Sequence, residues 1–268
     1  MAVRANVAAS ARRINAKVVT DPPLYSYLTQ TSRVNAAAPV ASGAEKPVSQ
    51  YGLGRVEDRL RVVAHLSERI DRFWVEDLAE LRTFVQEEMG YGLDVAVEQQ
   101  LLNGSGLGEH MRGVLNTPGI QVQAFSADPV ETLRRAVTKA QVAGADQLVA
   151  AMHPGTWESV ALVRATTNQF LATDSNLSSA GGGAVSPPYG PTALMSWGVP
   201  VVLSVAVPVG TAIVFDPSSV VLYTDGAVRL EWDGSIGFTR NELVARCEGR
   251  FGTAVTRPDR IVSVDMTA

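Results

Sequence analysis

The sequence predicts an α+β fold, and three observations carry that prediction. A helical repeat of apolar residues runs without a proline from Leu78 to Leu101. A strand-rich stretch punctuated by proline and glycine comes much later, from Gly198 to Trp232. Ahead of both, two β-compatible segments flank a tip of small, turn-prone residues. Helices and strands that gather in separate runs, instead of alternating, are the pattern of this class. At 268 residues the chain can bury a substantial core, in one large domain or two small ones. Its 46% hydrophobic and 19% charged residues are ordinary for a folded protein, and no apolar run approaches the roughly 20 residues of a spanning helix. A net charge of −4 makes the whole molecule a poor electrostatic attractor for nucleic acid. The one cysteine, Cys247, excludes an intrachain disulfide and a cysteine-based zinc site.

In chain order, the first twenty residues carry Arg4, Arg12, Arg13 and Lys17 and no acid, which reads as a basic arm. The segments "LYSYLTQ" and "YGLGRVEDRLRVVAHL" then enclose "NAAAPVASGAEKPVSQ", an extended hairpin with a long tip. In the second segment Val56, Leu60, Val62 and Ala64 share one parity and Arg55, Glu57, Arg59 and Arg61 the other, the period of a half-buried strand. Such a hairpin cannot bury its own faces and must lie on something else. Residues 76–102 read as one long helix, about 40 Å, through Leu78, Leu81, Val85, Met89, Leu93, Val97 and Leu101. Gly90 and Gly92 predict a bend near Tyr91, Glu76 and Asp77 sit where they complement the helix's positive end, and Gly104 is placed as a left-handed cap.

Asp128, Pro129 and Glu131 begin a further helix as N-cap, first residue and capping-box partner, and Gly144 closes it. "QLVAAM" reads as a buried strand and "PGTWESVALVRA" as a helix, and residues 173–191, rich in Gly, Ser and Pro, as a long loop. Turns at Pro208-Val209-Gly210 and Asp225-Gly226 divide the strand-rich run. In "NELVARCEGRFGTAV", Leu243, Ala245, Cys247 and Phe251 alternate with Arg246, Glu248 and Arg250.

Chemistry is sparse. Gly104 and Gly106 begin G-x-G-x-x-G, but Glu109 takes the third glycine place and a helix precedes the loop where a phosphate cradle needs a strand. Ser105 lacks the first glycine of a nucleophile elbow, and His65, His110 and His153 are scattered. Glu57-Asp58 and Glu87-Glu88 are simplest as solvated faces. No cofactor, metal or enzymatic site is expected.

Read together in order over residues 24–265, the basic arm, the hairpin, the block from "RVEDRLRVV" to "GVLNTPGI", "HPGTWESVALV", "WGVPVVLSVAVPVGTAIVFD" and "FTRNELVARCEGRFGTAVTRPDRIVSVD" resemble the HK97-fold major capsid proteins of tailed bacteriophages. The resemblance implies an N-terminal arm at 1–22, an E-loop region at 23–55, a peripheral domain at 56–127 and 216–268 built on a spine helix, and an axial domain at 128–215. It implies a non-enzymatic shell subunit forming hexamers and pentamers of an icosahedral head around double-stranded DNA, with no membrane and no sequence-specific DNA contact. Scaffolding, portal and decoration proteins are the partners it brings. Arg4, Arg12, Arg13, Arg33, Lys46, Arg55, Glu57 and Arg59 are its candidate inter-subunit contacts. Some members join subunits by isopeptide bonds, and Lys46, Asn241 and Glu248 match the lysine, asparagine and glutamate positions. Asn241 and Glu248 have opposite parity, so a bulge or a strand that begins after Asn241 is required. Only about twenty residues precede the E-loop region here, which implies a separate scaffold or a processed chain. An encapsulin-type shell is the alternative of the same fold, and a soluble α/β enzyme the alternative of another class.

Overall fold

The computed structural model describes residues 16–18, 24–163, 194–196, 198–226 and 228–267. Its strands are β1 (Ala16–Val18), β2 (Leu24–Val34), β3 (Gln50–Arg59), β4 (Arg61–Leu66), β5 (Ile70–Asp71), β6 (Gln121–Gln123), β7 (Val149–Met152), β8 (Leu194–Ser196), β9 (Val199–Leu203), β10 (Thr211–Phe215), β11 (Val220–Thr224), β12 (Arg229–Gly237), β13 (Glu242–Val255) and β14 (Ile261–Asp265). Its helices are α1 (Arg72–Asp77), α2 (Ala79–Asn103), α3 (Pro129–Val142) and α4 (Pro154–Ala161). The hairpin β2–β3 stands apart, and the other strands form two six-stranded sheets. The basic arm's Arg4, Arg12 and Arg13 and the loop at 173–191 lie outside the described residues.

The predicted long helix is α2, 25 residues in one segment of about 37 Å. Its buried stripe is Val85, Met89, Leu93, Val97 and Leu101, the predicted repeat of four. Three expectations about it fail for local reasons. No break occurs at Gly90 and Gly92, and α2 runs on through both; Gly92 sits against β4, where a Cβ would lie 2.9 Å from the His65 ring. His65 Nε2 also bonds the Met89 carbonyl at 2.9 Å, so strand packing outweighs glycine's poor helix propensity. The start is later than read, since Leu78 leaves the helical region (φ −113°, ψ 87°) and separates α1 from α2. Glu76 and Asp77 therefore end α1 instead of opening α2, and Glu76 pairs with Arg72 at 2.7 Å. Finally, Gly104 caps α2 with φ −53°, while Gly106 and Gly108 take the left-handed turns. Gly104 is needed for proximity, because a Cβ would stand 2.2 Å from the Met111 carbonyl oxygen.

One sheet has the order β1-β11-β13-β12, with β4 and β5 also pairing to β13. In β13 the predicted alternation holds: Ala245, Cys247 and Phe251 are buried while Arg246 and Arg250 are exposed. The parity assigned to residues 56–64 holds only as far as Leu60. Arg61 is buried and Val62 and Ala64 face out, because the chain leaves the hairpin at Leu60 and re-enters as β4 against β13 in a new register.

The other sheet runs β6-β14-β10-β7-β9-β8 and separates two cores. On one face Ala150, Met152, Ala212, Val214, Val262 and Val264 meet Leu133, Ala136, Val137 and Ala140 of α3. On the other face Val149, Ala151, Ile213, Phe215 and Ile261 join the α2 stripe and the first sheet. Strand alternation thus lets one sheet serve both sides. Strands β6 and β14 hydrogen-bond in this second sheet, although the expected division assigned their residues to the peripheral part. Asp128 caps α3 as read, its carboxylate accepting from Glu131 N at 2.7 Å, while the Glu131 carboxylate meets Arg135 and the Ser126 hydroxyl.

Candidate interaction surfaces

Strands β2 and β3 pair antiparallel from Leu24↔Arg59 to Val34↔Gln50, with one register shift between Gln30 and Ser32. The root of this hairpin is fixed by aromatic and polar contacts. Tyr25 is buried, stacks on Tyr223 at 4.3 Å between ring centroids, and donates its hydroxyl to the Thr253 carbonyl at 3.0 Å and to Asp58 at 3.2 Å. Burial, then the adjacent Asp58 charge, pushes the Tyr25 phenol far above its ordinary range, so it stays a donor. Asp58 also pairs with buried Arg61 at 2.9 Å, and Gln30 N donates to the Thr256 carbonyl at 2.8 Å. Between and beyond these anchors the ribbon exposes Leu28, Leu53, Tyr51 and Val48. Apolar groups gathered on an element that cannot bury them itself mark a contact surface.

The candidate contact residues have distinct positions. Lys46 is exposed in the tip between β2 and β3. Arg55 and Glu57 pair at 2.8 Å on the outer face of β3. Arg59 instead reaches its own chain's Glu109 at 2.6 Å, and Arg33 lies beside the Gly144 turn. Asn241 is exposed and left-handed (φ 56°), and β13 begins at the next residue, so the parity objection to Asn241 and Glu248 is removed. Glu248 sits 3.6 Å from Arg246 Nε, at the register position opposite Arg229. Seven residues of extended chain hold Glu248 about 20 Å from Asn241, so one copy cannot bring both to a single reaction.

Two features escaped the sequence. Asp216, after β10, and Arg260, before β14, form a buried pair at 3.0 Å. Burial raises the Asp216 carboxyl, but the Ser218 hydroxyl and amide and the Arg260 charge outweigh it and hold it below the usual range. The other is an exposed apolar surface on α1 and the start of α2: Phe73, Trp74, Leu78 and Phe84. Leu78, expected to begin the apolar stripe, is instead exposed because it lies between α1 and α2, and Phe73, Trp74 and Phe84 fall off that stripe. Among the described residues no cluster of metal-ligating side chains occurs, and no helix is long and apolar enough to cross a membrane.

A two-stranded ribbon with exposed apolar residues, a root anchored on the body and a helix edge left bare describes a subunit with surfaces for contact with copies or partners. The model of the phage capsid family matches residues 4–266. The chain belongs to the phage capsid family. Among curated proteins, the major capsid protein of Enterobacteria phage HK97 is 25% identical over 178 residues, covering 65% of this chain. The match spans 43% of that relative's length. Among solved structures, the capsid of a native GTA particle computed with C5 symmetry is 17% identical, with 97% of this chain and 90% of that one covered at a TM-score of 0.71. A chain of Mycobacterium phage Ogopogo is 19% identical, with 95% and 90% covered at a TM-score of 0.67. The fold of this family member is HK97-like, as the order of its segments implies.

Proposed function

We propose that this chain is a major capsid protein, the shell subunit of an icosahedral phage-type head that encloses double-stranded DNA. The observation that carries the reading is family membership over nearly the whole chain, joined to a hairpin that leaves Leu28, Tyr51 and Leu53 exposed. Hexamers and pentamers supply the neighbours on which the hairpin's apolar faces close, and repetition of one contact set builds a closed shell. The arm at 1–22 and the E-loop region at 23–55 act as connectors. The segments 56–127 with 216–268, and 128–215, act as peripheral and axial parts, with β6 and β14 of the former completing the sheet of the latter. Arg55, Glu57 and Lys46 stand at surfaces open to a neighbour, and Arg4, Arg12 and Arg13 complete the contact set. Arg33 and Arg59, held against their own chain, orient the hairpin. Scaffolding, portal and decoration proteins are the partners of such a subunit, and the assembled location is the virion.

Electron microscopy of the purified protein, expressed with and without its scaffold, tests the reading. Closed shells tens of nanometres across, holding nuclease-protected DNA in the native particle, are expected; small globular particles under every condition would overturn it. Covalent joining of Lys46 to Asn241 is read on the same shells: the Lys46 amine bonds the side-chain amide carbon of Asn241, the amide C–N bond breaks and ammonia leaves, and Glu248 of another copy takes the amine proton and passes it to the leaving nitrogen. A ladder of multimers after boiling in denaturant supports the bond, and monomer alone excludes it.

A further inference from the structure

The two edges of the β2–β3 ribbon differ. Gln30 N donates to the Thr256 carbonyl, so the even residues from Leu24 to Gln30 turn their backbone groups toward the body of their own chain. In the register that runs from Leu24↔Arg59 to Gln30↔Leu53, the odd residues of β2 then face β3, and Leu53, Arg55, Glu57 and Arg59 turn theirs outward. The bonds at Arg59 agree: its N–H goes to the Asp58 carboxylate at 2.8 Å, and its carbonyl accepts from the Arg61 guanidinium at 3.2 Å. These side chains end the free edge at Arg59. From Leu53 to Glu57 the edge pairs with no strand among the described residues, and it lies on the opposite side of the ribbon from the contact with Thr256. An open edge is a template for another strand.

The charges on the edge select which strand. Arg55 and Glu57 have side chains 67% and 70% exposed, and two copies of this edge laid antiparallel meet about a two-fold axis. With the axis at residue 55, arginine faces arginine; with the axis at residue 57, glutamate faces glutamate, and like charges directly opposite are destabilising. With the axis at Val56, Arg55 of each copy faces Glu57 of the other. The edge is complementary to itself in that register. We propose that β3 pairs antiparallel with β3 of a second copy about a two-fold axis at Val56, joined by two reciprocal Arg55–Glu57 pairs. The inference rests on the shell reading and names one neighbour of the hairpin, since an icosahedral shell contains two-fold axes at which a surface meets itself.

Across such an axis the two Val56 residues form a non-hydrogen-bonded pair with Cα atoms about 4.5 Å apart, within the span of a disulfide. Val56→Cys shells, mildly oxidised, should therefore give a disulfide-linked dimer on a non-reducing denaturing gel, with buried Cys247 silent. Adding Arg55→Glu should abolish the dimer, and adding Arg55→Glu/Glu57→Arg, which restores opposite signs, should bring it back. Gly54→Cys, which would face Asp58 of the second copy, should stay monomeric. Hydrogen exchange on the unaltered protein reads the same contact without a substitution: the Arg55 and Glu57 amides, free in the subunit, should gain protection on assembly. Monomer from Val56→Cys shells, a dimer indifferent to Arg55→Glu, equal dimer from Gly54→Cys, or unprotected amides in shells would each overturn the pairing. If the unaltered protein forms no shells, the shell reading fails by itself. The gel is then run on concentrated soluble protein, where dimer supports the pairing and monomer overturns it.

Discussion

Gly104 is constrained by its neighbour across the turn, not by its own dihedrals. The Met111 carbonyl occupies the place a Cβ would take, and both groups are backbone, so neither can swing aside. Gly104→Ala should destabilise the subunit by about 3 kcal/mol, the upper range for overpacking, measurable by urea unfolding. Asp216 and Arg260 are the second residue-scale case. Arg260→Met leaves a buried carboxylate without its cation and should cost about 3–5 kcal/mol, whereas Asp216→Leu/Arg260→Met together should cost much less. The pair also sets a sign with pH. The folded-state value of Asp216 is depressed, so its stabilisation is complete above the unfolded value, near pH ~4, and is lost as pH falls through the lower folded one. Asp216→Asn should therefore flatten the acid limb of a stability-versus-pH curve. Nothing in the sequence announced this pair, because its members are 44 residues apart and each looks like an ordinary surface charge.

At the scale of elements, what could be read depended on whether a segment's period was set by one neighbour or two. Helix α2, helix α3 and strand β13 each face one core along most of their length, and their spacing gave them away. Strand β4 could not be read that way, since it continues β3 in sequence but changes partner at Leu60, and the buried face inverts there. The separate α1 was equally hidden, because its exposed Phe73 and Trp74 carry the same apolar signal as a core residue. Of the candidate surface, the hairpin was legible from its small-residue tip and the bare helix edge was not. The hairpin's root makes a further prediction. Tyr25→Phe keeps the stacking on Tyr223 but removes the hydroxyl's bonds to Thr253 and Asp58, a loss of about 1–2 kcal/mol confined to the root. Hydrogen exchange should quicken at Tyr25–Gln30 while α2 keeps its protection.

For the whole molecule, the hairpin's tip and the body are separable. The tip is tied mainly to itself, through Asn35, Ala36, Ala37 and Ser49, whereas the root holds the sheet. Replacing residues 36–49 with a two-residue turn should leave circular dichroism and the melting transition of the subunit nearly unchanged while abolishing closed shells in electron micrographs. Loss of the fold in that variant would show that the tip supports the body after all.

Strand β13 also governs when the protein can become itself during synthesis. Its residues 246–251 pair with residues 61–66, and β14, further along still, lies between β10 and β6. Neither sheet can close until residues 246–265 have left the ribosome, which takes tens of seconds at about 5–20 residues per second. Once made, the hairpin strands and the apolar stripe of α2 have nothing to rest on until those late strands arrive. A prematurely truncated product lacks the strands that close both sheets. Placing the keystone strands after all the others acts as a proofreading step: only a chain that has reached β14 can present the folded surfaces that another copy would recognise.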